Sequence, residues 1–165
     1  MNRVLVYEDT KGYCRVIYPA SHFQCSWETE EDALFRLRET AIPETAEFLC
    51  CRQSVLPDKT FRRAWKKGDT NEPVKIDMAL CMEIHRERLR QASNSKISEL
   101  DLQLERALED DNLPWAVSIR RTKKALRSMH EMNLTHCKTP QDVKYSIPKE
   151  LHDVWSFYPP IFANS

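Results

Sequence analysis

Glycine is nearly absent from this chain: Gly12 and Gly68 are the only two in 165 residues. Loops that cradle phosphate with backbone N–H groups need several glycines close together, so Walker and dinucleotide-binding motifs are excluded. An excess of charge of one sign is missing too. Lys plus Arg number 25 and Asp plus Glu number 25, for a formal net charge of zero. Bulk binding of DNA or RNA draws on a basic excess that releases counterions, and this chain has none to spend outside a local patch. No stretch approaches the ~18 apolar residues of a membrane helix. The start of the chain turns polar within three residues and has no long apolar core of a secretory leader. C-x-x-C, H-E-x-x-H, G-x-S-x-G and C-G-x-C patterns do not occur. The commonest zinc, hydrolase and thiol-protease signatures are therefore missing.

What is present points to a packed protein. The hydrophobic fraction is 41% and the charged fraction 30%, enough for a real core in one domain or two small ones. The six cysteines are Cys14, Cys25, Cys50, Cys51, Cys81 and Cys137. Without a leader they read as reduced thiols inside a cell, mostly small buried hydrophobes. Adjacent Cys50 and Cys51 point to opposite faces of a strand and are poorly placed to bridge each other. His22, Cys25, Cys50, Cys51, His136 and Cys137 lack metal-ligand spacing. Glu83, His85 and Glu87 lie two apart on a helix, where side chains do not face one another, and read as solvated. No catalytic residue, cofactor or metal is expected, and the chain reads as a non-enzyme.

The local signals predict an α+β protein. Residues 3–9 and 13–19 are rich in β-branched and aromatic types and flank Thr10-Lys11-Gly12, a hairpin signature. Thr29 followed by Glu30, Glu31 and Asp32 is a helix start. Ala33, Leu34, Leu37 and Ala41 form its apolar stripe, and Ile42-Pro43 closes it. Residues 46–53 read as a third strand. The result is a small β-β-α-β module over 1–55. Residues 56–76 read as an aromatic and basic hinge in which Phe61 and Trp65, four apart, share one face of a short helix. The polar turn at 68–73 marks the domain boundary.

Residues 78–110 predict one long helix. Met82, Leu89, Ala92, Ile97, Leu100, Leu104 and Ala107 fall near a seven-residue repeat, with Ser93-Asn94-Ser95 as the weak point. Pro114 opens a second helix whose seam is Trp115, Ile119, Thr122, Leu126 and Met129. Together they form an antiparallel helical hairpin over 77–131. The second helix is about half as long as the first. The apolar stripe from 82 to 92, with Met82, Leu89 and Ala92, is therefore expected to need another cover: the β module, the C-terminal tail or another subunit. Residues 132–165 hold a short helix from Thr139 and an aromatic tail with Trp155, Phe157, Tyr158 and Phe162. The tail either packs on this chain's own core or docks on a partner, as its Pro159-Pro160 step suits an extended segment.

One charged patch stands out. Lys59, Arg62, Arg63, Lys66 and Lys67 interleave with Phe61 and Trp65, the composition of a surface that tracks and stacks a single strand. The acids elsewhere cancel the field, so nucleic acid is disfavoured against plain packing.

Ordered short motifs carry a resemblance. Leu56-Pro57-Asp58-Lys59-Thr60-Phe61-Arg62-Arg63-Ala64-Trp65 resembles the D-R-T-F-R-x-A-W segment of small uncharacterised phage and prophage tail-region proteins. Val74-Lys75-Ile76-Asp77-Met78 and Glu83-Ile84-His85-Arg86 are similar to that family's V-D-M and A-x-E-I-H-R at the start of its long helix. Leu100-Asp101, Arg106-Ala107-Leu108-Glu109, Lys124-Ala125-Leu126-Arg127, Thr139-Pro140-Gln141-Asp142 and Pro148-Lys149-Glu150-Leu151 follow in the family's order. The likeness spans most of 3–151; the glycine of the family's hairpin turn is replaced by Asp110-Asp111-Asn112. More distantly, the helical hairpin is similar to tail-fibre assembly proteins. The resemblance implies a non-enzymatic tail-associated protein, either a minor structural component or an assembly factor. Its partner would be a tail or tail-fibre protein or a second copy, with no membrane, in the bacterial cytoplasm or the virion. The contact residues expected from the helix lengths and the tail's composition are the 82–92 stripe and the tail aromatics, with Phe61 and Trp65 orienting the two halves. The alternatives are a host-directed accessory protein of a mobile element, for instance an inhibitor of a defence protein, and a nucleic-acid-binding module through 59–67.

Overall fold

The protein, seen in a computed structural model that describes residues 2–20 and 23–152, is α+β. It divides into two compact units, Met1–Asp77 and Met78–Ser165. The 56–76 segment belongs to the first unit and is not a separate hinge.

The first unit is built on β1 (Arg3–Glu8), β2 (Cys14–Ile17) and β3 (Phe48–Arg52). β1 is central, antiparallel to both neighbours, in the order β2-β1-β3. Gly12, at φ +78°, supplies the left-handed turn between β1 and β2. Helix α1 (Glu30–Ala41) starts on a full capping box: the Thr29 side chain accepts from the Asp32 N–H, and Asp32 answers the Thr29 N–H. α1 covers one face of the sheet, where Leu5, Leu34, Leu37 and Ile42 pack together.

The opposite face needs its own cover, because Val4 and Val6 alternate with Leu5 and are equally buried. That cover comes from the 56–76 segment. A 3-10 stretch, Lys59–Ala64, leads into β4 (Trp65–Lys67), which pairs with β5 (Val74–Ile76) in a two-stranded ribbon. β4 lies against β1 and β2. Trp65 and Val74 join Val4, Val6, Val16 and Cys51 in a second core.

The second unit holds α2 (Met78–Glu109), α3 (Leu113–Arg127) and α4 (Pro140–Tyr145). α2 runs unbroken through Ser93-Asn94-Ser95. Ser93 is buried and turns its hydroxyl towards Met129 Sδ at 3.7 Å. The turn to α3 places Asp111 in the left-handed region at φ +51°, the job a glycine would do. The Asn112 side chain then accepts from the Trp115 N–H and caps α3.

α2 and α3 pack as the expected hairpin, with a seam shifted by one residue at two positions. Ala116, Ile119, Lys123 and Leu126 are buried, whereas Trp115 is exposed and Thr122 half-buried. Near the turn Ala107 and Ala116 are both fully buried. Two alanines let the helices close, and an indole would hold them apart. At the other position the Lys123 stem lies in the seam while its ammonium reaches the Asp101 carboxylate.

Candidate functional site

Phe61 and Trp65 do not share a helix face. Phe61 has non-helical dihedrals (φ −112°, ψ 39°), which break the turn, and Trp65 begins a strand. Both are sealed in the first unit's interior, 1% and 2% exposed. Of the basic set, Lys59, Arg62, Arg63 and Lys66 are exposed, and Lys67 pairs with Glu47 at 3.1 Å. Lys59 Nζ stands 4.9 Å from the Tyr18 ring centre. Arg62 Cζ stands 5.8 Å from the same ring and 5.9 Å from that of Trp65.

The stripe expected to lie open on α2 is covered within its own unit. Leu89 is fully buried and packs in the hairpin core, with Ala92 against it; Met82 is half-buried. The buried positions run Cys81, His85, Leu89 and Ser93, one per turn. Their cover is α4 together with the turns at Met129–Glu131 and Lys149–Leu151, all of which pack on α2. Leu134, Cys137, Val143 and Leu151 are buried in this cover. His85, expected to be solvated, is therefore interior, and its Nε2–H donates to the Ser146 carbonyl at 3.0 Å. Burial holds the His85 pKa below the ordinary histidine value, against the opposing pull of that hydrogen bond.

Within the α2–α3 hairpin, the exposed large apolar side chains lie instead toward the turn end. Leu102, Leu108, Leu113 and Val117 are 59%, 45%, 65% and 54% exposed, and Trp115 is 38% exposed. Leu113 and Val117 are four apart, on one face with Arg121 and Lys124. Leu102 shares its face with Glu105 and Glu109. The sequence did hold a signal for most of this surface: Leu102, Leu108, Leu113 and Val117 are the apolar remainder once a seven-residue seam is assigned, whereas Trp115 reads as part of the seam.

Two of the thiols are poorly suited to nucleophilic work. All six cysteines are free. Desolvation pushes Cys14 and Cys81 up to about 11, so neither is a thiolate near neutrality. Among the described residues no group of three or more His, Cys, Asp and Glu is placed to hold a metal ion. An open cleft beside the β1–β3 pair is lined by Asn2, Arg3, Glu30, Cys50 and Arg52. Two of its charged groups are already engaged, Arg3 with Glu31 at 3.4 Å and Glu30 with the Asn2 N–H at 3.1 Å. Trp155, Phe157, Tyr158 and Phe162 lie outside the described residues. Among the described residues no helix is long and apolar enough to cross a membrane.

No protein-family model, curated protein or solved structure matches this chain.

Proposed function

We propose that the chain is a non-enzymatic tail-associated protein of a phage or prophage, a minor structural component or a tail-fibre assembly factor that works by protein–protein contact. The reading draws on the ordered motifs between residues 3 and 151 and on the α2–α3 hairpin. The observation that carries its mechanism is the exposed apolar set Leu102, Leu108, Leu113, Trp115 and Val117 at the turn end of that hairpin. Exposed apolar residues flanked by charge are a common form of contact surface. The contact surface thus moves from the covered 82–92 stripe to the hairpin tip. A fitting partner presents apolar side chains rimmed by both signs of charge, since Glu105 and Glu109 flank one side and Arg121 and Lys124 the other. In this reading the protein acts in the bacterial cytoplasm or is carried in the particle.

The test is co-expression with whatever tail and fibre proteins its neighbouring genes encode, the absence of any such gene counting against the reading. A defined complex is expected that dissociates when Leu102 and Val117 are both changed to Glu, with the fold retained by circular dichroism. Normal tailed particles from a deletion strain, together with no complex, would end this reading.

A further inference from the structure

We propose that Lys59, Arg62, Tyr18 and Trp65 form a binding site for a phosphate-sized oxyanion. Three unfavourable features meet at this one place in the first unit. Two cations face the Tyr18 ring, Lys59 Nζ at 4.9 Å and Arg62 Cζ at 5.8 Å from its centre. Among the described residues neither of them meets a carboxylate. Two like charges on one ring repel, and the ring's quadrupole offsets this only in part.

On these same two rings, Tyr18 Oη and Trp65 Nε1 are buried side-chain atoms without a hydrogen-bond partner. Trp65 is 2% exposed. A buried donor left unpaired is costly and asks for an acceptor. The same guanidinium ties the two rings together, standing 5.8 Å and 5.9 Å from their centres.

The chemistry of the four groups decides the ligand class. Ammonium, guanidinium and indole N–H donate only, and the phenol can donate. Their common complement is an acceptor-rich anion. Trp65 is buried and Tyr18 half-buried, so neither ring offers an open face to a base; the contact is to the phosphate. Lys59 and Arg62 are exposed at the surface, and such side chains change rotamer on the picosecond-to-nanosecond scale. Swinging off the rings, they bring the anion down onto the phenol and indole donors. The nearby acid, Asp58, already accepts from the Thr60 N–H at 2.7 Å and from its hydroxyl. This proposal is independent of the tail reading, whose surface is in the other unit.

The experiment follows the Trp65 indole N–H resonance, assigned with Trp65→Phe, while the full chain is titrated with inorganic phosphate. A second arm uses a short single-stranded oligonucleotide, and a third uses chloride at matched ionic strength. The expected result is a saturable shift with phosphate and none with chloride. Arg62→Gln and Lys59→Gln should each weaken binding about tenfold, the scale of one lost charge-assisted contact. Tyr18→Phe, which keeps every charge, should weaken it severalfold without lowering the urea midpoint. A tighter oligonucleotide with the same shift identifies the source as a phosphodiester; saturation by phosphate alone identifies a free oxyanion. No shift at millimolar phosphate, an equal shift with chloride, or undiminished binding in Tyr18→Phe overturns the proposal.

Discussion

Gly68 has no room for a side chain. A Cβ there would stand 1.9 Å from the Glu72 carbonyl oxygen, and that oxygen is fixed because it accepts from the Asp69 N–H at 3.0 Å. Gly68→Ala should therefore open the β4–β5 turn and lower the first unit's stability by about 2 kcal/mol, read by urea unfolding. Asp69 closes the same turn. Its carboxylate accepts from Lys75 at 2.8 Å and from the Asn71 and Glu72 N–H groups, both at 3.0 Å. The Lys75 contact, first among these, holds its pKa at about 2. A carboxyl lowered in the folded state contributes stability above its ordinary value of 3.8, lost as pH falls towards about 2. His85 titrates in a milder range. Its folded pKa lies below the ordinary 6.5, so the unfolded chain binds the extra proton. The second unit is expected to lose stability as pH drops below about 6.5, seen as a falling urea midpoint between neutral pH and about 5. The burial of His85 was not legible from its neighbours, since Glu83 and Glu87 at i±2 give a helix face no depth. The spacing that betrays it is Cys81-His85-Leu89, four and four.

At the scale of the element, what was legible is what local chemistry decides. Thr29-x-x-Asp32 and Thr139-x-x-Asp142 both close capping boxes, and the hairpin glycine sits where a positive φ is needed. The unbroken Val4-Leu5-Val6 run in β1 also carried a readable message: a strand apolar on both faces needs two covers. Only α1 was recognised as a cover, because Phe61 and Trp65 at four-residue spacing imitate a helix that tertiary packing replaces with a 3-10 turn and a strand. The cover of α2 was illegible for a different reason. Leu134, Cys137 and Leu151 sit in short turns and Val143 in the six-residue α4, too short to show a period, so no pattern links them to the helix they seal. Leu89, at the centre of that covered stretch, is a direct test: Leu89→Ala should cost about 3 kcal/mol. The hairpin's ion pair is unequal, with the Lys123 side chain 10% exposed and that of Asp101 52%. Asp101→Asn should cost about 1 kcal/mol after solvent screening, while Lys123→Met, which removes the buried charge altogether, should leave the urea midpoint nearly unchanged.

The two units each own a hydrophobic core, one around β1 and one around α2. Residues 1–77 and 78–165 expressed separately are therefore expected to fold, with a sheet-rich spectrum from the first and a strongly helical one from the second. The proposed candidate surfaces divide in the same way, basic and aromatic in one unit, apolar and mixed-charge in the other. Neither was fully legible, since an exposed Leu102 or an unpaired Trp65 N–H becomes visible only after packing has decided what is left over.

The central position of β1 has a consequence during synthesis. β1 leaves the ribosome roughly seventy residues before the residues near position 74 that seal it. Translation at about 5–20 residues per second leaves Val4 and Val6 uncovered for several seconds. Nascent chains stalled before β5 should bind chaperones at this amino-terminal strand and release them once Val74 has emerged.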